Sequence, residues 1–175
     1  MPPSLPEIGI EIEAVPVYIH KIDRPVFWNS DDDLEQRVNN AVAKIFKDPE
    51  SIYSFWRVQS DFDFYCIAAS LSAGRSSPSE EISFLWVKSE ELEALGLVLQ
   101  QSEEGRCLYA RRLHYDVSIN PAQARSFCFM LMRAERKACR CRKKQMQTVV
   151  DCLTQKGCQA YAEAPDLCSC MALLT

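Results

Sequence analysis

Ile82-Ser83-Phe84-Leu85-Trp86-Val87 is apolar at every position but one, so both faces of the extended chain carry apolar side chains. Such a run suits a strand at the centre of a sheet, covered on both sides. Upstream of it, Ser72 to Glu80 is a polar loop, and residues 51–59 and 61–71 are rich in aromatic and β-branched types, predicting two further strands. In the second of these, Phe62, Phe64 and Cys66 would share one face, with Asp61, Asp63 and Tyr65 on the other. Farther upstream, Ser30-Asp-Asp-Asp33 offers a capping residue and acidic first-turn charge. Leu34, Val38, Ala41, Val42, Ile45 and Phe46 follow at helical spacing before Pro49, predicting a helix over 31–47. At the start of the chain Ile8, Ile10 and Ile12 alternate with Gly9, Glu11 and Glu13, and Val15, Val17 and Ile19 flank Pro16, which reads as one or two half-buried strands.

Downstream, Ser89-Glu-Glu91 caps a short helix over 90–95 that Gly96 ends. A turn around Glu103-Glu-Gly105 leads into an alternating stretch in which Cys107, Tyr109, Leu113, Tyr115, Val117 and Ile119 would line one face. Asn120-Pro-Ala-Gln123 then begins a helix, with a capping residue, proline at the first helical position and glutamine at the third. Phe127, Leu131, Ala134, Ala138, Cys141, Val149 and Cys152 keep helical phase towards Gly157, predicting a long C-terminal helix from 121, with a break possible near Lys143. The expected fold is α+β, one domain over 1–157 with a mainly antiparallel sheet and helices on one face, followed by a patternless, loosely ordered cysteine-containing tail over 158–175.

Charge divides this chain at residue 120. Met1 to Asn120 holds 20 acidic against 11 basic residues, a net of about −9, and the remainder holds 4 against 9, a net of about +5. Most of the positive charge lies between Arg133 and Lys144. If that segment is helical, Arg133, Arg136, Lys137, Arg140, Lys143 and Lys144 form a stripe beside its apolar face, spaced to meet an anionic partner. No aromatic residue interrupts the run to stack on bases, which weakens a nucleic-acid reading.

Nine cysteines, an odd number, cannot all pair within one chain. The first residues show no basic n-region leading into an apolar run, and no apolar stretch is long enough to span a membrane, so the expected compartment is cytosolic with reduced thiols. Six cysteines lie from Cys139 onward, but Cys139 and Cys141, and Cys168 and Cys170, are each separated by a single residue, unlike zinc ligands. On a helix, residues two apart point about 200° away from each other, so Cys139 and Cys141 could not share an ion there. Flanking Arg and Lys would favour thiolate, but the leading expectation is buried cysteines acting as small hydrophobes, with inert thiols in the tail.

The carboxylate pairs Glu11 with Glu13 and Asp61 with Asp63 could bind a cation or move protons if buried in a cleft. His114 and Asp116 project to the same side of one strand, and His20 is the other candidate base. No glycine-rich phosphate loop is present; the Ser76-Ser-Pro-Ser79 loop could accept phosphate, but short Ser/Pro loops are common and the signal is weak. These observations order three readings: a non-enzymatic cytosolic interaction or regulatory module, binding a protein partner or itself; a nucleic-acid-associated protein using 133–144; and a metal-dependent hydrolase using Asp61, Asp63 and His114. No cofactor, resident metal or membrane contact is expected.

Overall fold

A computed structural model describes residues 1–23, 28, 30–46, 52–72, 80–104, 107–134 and 138–156. In chain order these form strand β1 (Val17–Ile22), helix α1 (Leu34–Ile45), β2 (Ile52–Val58), α2 (Asp61–Ser72), β3 (Ile82–Val87), α3 (Ser89–Ala94), β4 (Gln100–Gln101), α4 (Leu108–Arg112), β5 (His114–Ser118), α5 (Pro121–Arg133), β6 (Cys139–Cys141) and α6 (Lys143–Lys156). One six-stranded antiparallel sheet runs in the order β4-β5-β2-β1-β3-β6. The fold is α+β. β3 lies inside the sheet and all six of its residues are buried, as the apolar run requires.

Helices cover both faces of the sheet, not one. Ile82, Phe84 and Trp86 of β3 join a core that includes α2 and α6 residues, while Leu85 and Val87 join another that includes α1 and α5 residues. A strand apolar on both faces needs cover on both, so the reading of β3 and that of a one-sided sheet were incompatible.

Helix α1 falls within the expected span but starts later, because Asp33 rather than Ser30 is the cap and accepts from the Gln36 amide at 2.9 Å. α5 begins as its capping box dictates, with Gln123 N donating to Asn120 Oδ1 at 2.9 Å and Asn120 N to Gln123 Oε1 at 3.1 Å. It ends at Arg133, however, and no single long helix follows. Cys139-Arg-Cys-Arg142 alternates apolar with charged, and the open edge of β3 takes Cys139–Cys141 as β6, with Cys139 and Cys141 buried and Arg140 out.

Residues 61–72 form α2, not a strand. Ser60 and Asp63 make a capping box: Asp63 N donates to Ser60 Oγ at 3.2 Å, and Asp63 Oδ2 accepts from the Ser60 and Gln59 amides at 3.0 and 2.8 Å. The helix is apolar nearly all round because it lies between β2, α4 and α6. Residues 108–112 likewise form α4, where Leu, Ala and Arg favour a helix and Tyr109 reaches back to Asp63. Ile8 and Ile10 are buried around a 3₁₀ turn rather than on a strand: Pro6 opens that turn and Gly9, at φ 97°, closes it. The tail over 158–175, the loop Ser76–Ser79, and Cys158, Cys168 and Cys170 lie outside the described residues.

Candidate functional site

The basic segment does not form one helical stripe. Arg133 closes α5 and lines a shallow groove of about 620 Å³ with Phe129, Met130 and the Arg125–Glu35 ion pair. Arg136 and Lys137 lie outside the described residues. Arg140 projects from β6, while Lys143 and Lys144 begin α6, all three exposed.

Arg140 and Lys144 are brought together with two cations that the sequence did not single out. Lys88, just after β3, and Arg142, between β6 and α6, join them around a cleft of about 1020 Å³. Its other wall is the first 3₁₀ turn, which contributes Glu7, with Glu11 nearby, and its floor includes Trp86 and Cys139. The Gly9 carbonyl holds that wall in place by accepting from Trp86 Nε1 and from Cys139 Sγ, each at 3.2 Å. Glu7 stays ionised: the Ser4 amide and hydroxyl donate to its carboxylate at 2.7 and 2.9 Å and lower its pKa.

Charge on the β6 side of the cleft is poorly neutralised. Arg140 faces Glu81 at 3.5 Å, but Lys88, Arg142 and Lys144 take part in no ion pair among the described residues. Helix α6 starts beside them, with Arg142 N donating to Gln145 Oε1 at 2.9 Å, and its first turn carries no acidic residue. Cations at the positive end of a helix dipole raise the local potential at some cost to the helix. This arrangement can attract and hold carboxylate or phosphate groups.

No family model matches this chain, and no curated protein or solved structure matches it either.

The hydrolase trio is not assembled. Asp61 accepts from the Leu5 amide at 2.7 Å, and Asp63 is taken up by the α2 cap and by Tyr109 Oη at 2.7 Å. Burial, and then that bond, raise the Tyr109 pKa. No group of three metal-ligating side chains occurs among the described residues. His20 is buried against Phe46 and Phe55, and donates from Nδ1 to the Ser54 carbonyl at 2.9 Å; burial pushes its pKa down. Cys139 and Cys141 share a face because their segment is a strand. Cys141 is fully buried, as the small-hydrophobe reading expects, and burial pushes its thiol up to about 12, against the thiolate alternative.

His114 and Asp116 do share a side of β5, with His114 Nε2 3.6 Å from Asp116 Oδ1. Ser102 joins them, its Oγ 2.6 Å from His114 Nδ1. Nothing in the local sequence marks that partnership, which comes from strand register.

Proposed function

We propose that this chain is a protein-interaction module whose basic cleft, between the N-terminal turn, β6 and α6, receives an acidic segment of a partner protein. The observation that carries this reading is the convergence of Lys88, Arg140, Arg142 and Lys144 on one cleft at the positive end of α6. A volume of about 1020 Å³ is at the upper limit for small-molecule pockets and suits a length of chain. The two-signed lining favours protein over nucleic acid. Glu7 and Glu11 would repel a continuous phosphate backbone, whereas a peptide can set carboxylates against the cations and neutral or basic groups against the glutamates. No described helix is long and apolar enough to cross a membrane, and a soluble, cytosolic setting is part of the proposal.

The test is fluorescence anisotropy with a labelled acidic peptide, single-stranded RNA and duplex DNA, at about 50 and about 200 mM salt. The acidic peptide should bind more weakly at the higher salt, and Arg142→Glu with Lys144→Glu should cost about tenfold or more in affinity. Unchanged peptide binding in that double variant would sink the proposal. Binding of nucleic acid in preference to the peptide would transfer the cleft to the nucleic-acid reading.

A further inference from the structure

Sheet register builds a second constellation at the far end from the cleft. β4 sets Gln100 against Asp116 and Gln101 against Tyr115, so Ser102 falls beside His114, its amide donating to the His114 carbonyl at 3.1 Å. On the other side β2 sets Trp56 against His114 and Ser54 against Asp116. Side chains alternate between faces along each strand, so Ser102, His114 and Trp56 form one row, with Asp116 and Ser54 in the next row on the same face.

Chemistry follows from this placement. His114 is 2% exposed, its ring 5.0 Å from that of Trp56, while Ser102 is partly open to solvent. Asp116 Oδ1, 3.6 Å from Nε2, is too distant for a strong hydrogen bond, but its charge favours the proton on that nitrogen. Nδ1 is then the acceptor, and the Ser102 hydroxyl donates to it at 2.6 Å. Ser54 Oγ donates to the same Asp116 oxygen at 3.4 Å. A hydroxyl bonded to a buried imidazole, itself facing a carboxylate, is the arrangement that activates a serine, here with the roles of the two ring nitrogens exchanged.

We propose that Ser102 is an activated nucleophile that takes an acyl group from an ester. Ser102 Oγ attacks the ester carbonyl carbon as its proton passes to His114 Nδ1. The bond to the departing alcohol breaks, the alcohol leaves with the proton from Nδ1, and the acyl group stays on Ser102 with the imidazole neutral again. Asp116 stabilises the doubly protonated imidazole between these steps. Glu103 and Glu104, both exposed beside Ser102, select for uncharged or cationic esters over anionic ones.

The experiment treats the full chain with a fluorophosphonate probe and with p-nitrophenyl acetate, then locates any adduct by peptide mass mapping. A single adduct on Ser102 is expected, lost in Ser102→Ala and formed at least about 100-fold more slowly in Asp116→Asn, with both variants folded by circular dichroism. Absence of an adduct on Ser102, or labelling of folded Asp116→Asn at the parent rate, overturns the assignment and leaves the Ser102–His114 bond as a strand-pairing contact. The cleft variant Arg142→Glu/Lys144→Glu should label like the parent, so this proposal and the binding proposal can fail separately.

Discussion

At the β6 end of the sheet, Arg140, Arg142 and Lys144 are exposed, and their charge is concentrated where a helix dipole adds to it. At the β4 end the chemistry is turned inward: His114 is shut from solvent, and each ring nitrogen faces one defined neighbour. Open charge gives long-range attraction that salt weakens, with little fixed geometry. Buried polar contact gives fixed geometry and a defined proton position. One edge presents open charge and the other a fixed polar contact.

Burial over the centre of the sheet gives the largest expected effect. Phe127, fully buried from α5 against Phe46 and Phe55, sets the scale: Phe127→Ala should cost about 3–5 kcal/mol in urea unfolding. A loss below about 1 kcal/mol would mean that the edges share the load. Gly9→Ala should act on the cleft end alone. Its φ is +97°, and an added Cβ would lie 2.8 Å from Cys139 Sγ, so about 1–3 kcal/mol should be lost while Ser102 chemistry is unchanged.

A pH series separates the centre from both ends. Burial lowers the His20 pKa from 6.5, so the unfolded chain takes up that proton more readily than the folded one. Its contribution is complete above about 6.5 and is lost as pH falls towards the depressed value. Urea midpoints should therefore drop between neutral and mildly acidic pH, and less steeply in His20→Asn. A smaller effect has the opposite sign. Arg142→Glu with Lys144→Glu should stabilise α6 by about 0.3–1 kcal/mol by placing acid at its N-terminus, even as acidic-peptide affinity falls about tenfold or more. Equal losses of binding and stability would instead make the cations structural. Smallest of all, Glu81→Gln should shift stability by no more than about 1 kcal/mol, since the Glu81–Arg140 pair is roughly half exposed on both sides.

Where local signals were strong, the sequence was informative. Asn120-Pro-Ala-Gln123 sets the start of α5, Gly96 follows α3, and the apolar run of β3 names the sheet interior. α2 was misread because a helix buried nearly all round has no amphipathic period; the Ser60–Asp63 capping pair was the missed signal. β6 was hidden because Cys139-Arg-Cys141 fits a helix in phase with α5 as well as it fits a strand, and only the open edge of β3 decides between them. The pairing of His114 with Asp116 was legible from alternation. Ser102 and Lys88 were not, because Ser102 meets His114 only through the β4–β5 register and Lys88 meets Arg142 and Lys144 only through the folded cleft.

The strand order has a bearing on synthesis. β1, β2 and β3, which make the middle of the sheet, come from the first half of the chain, whereas β6 and α6 come last. A chain growing from its N-terminus therefore holds the sheet interior before it holds the cleft, since domains assemble as the sequence that completes them emerges. The cleft is thus completed only after the strands at the middle of the sheet, because Arg140, Arg142 and Lys144 all lie downstream of β1, β2 and β3.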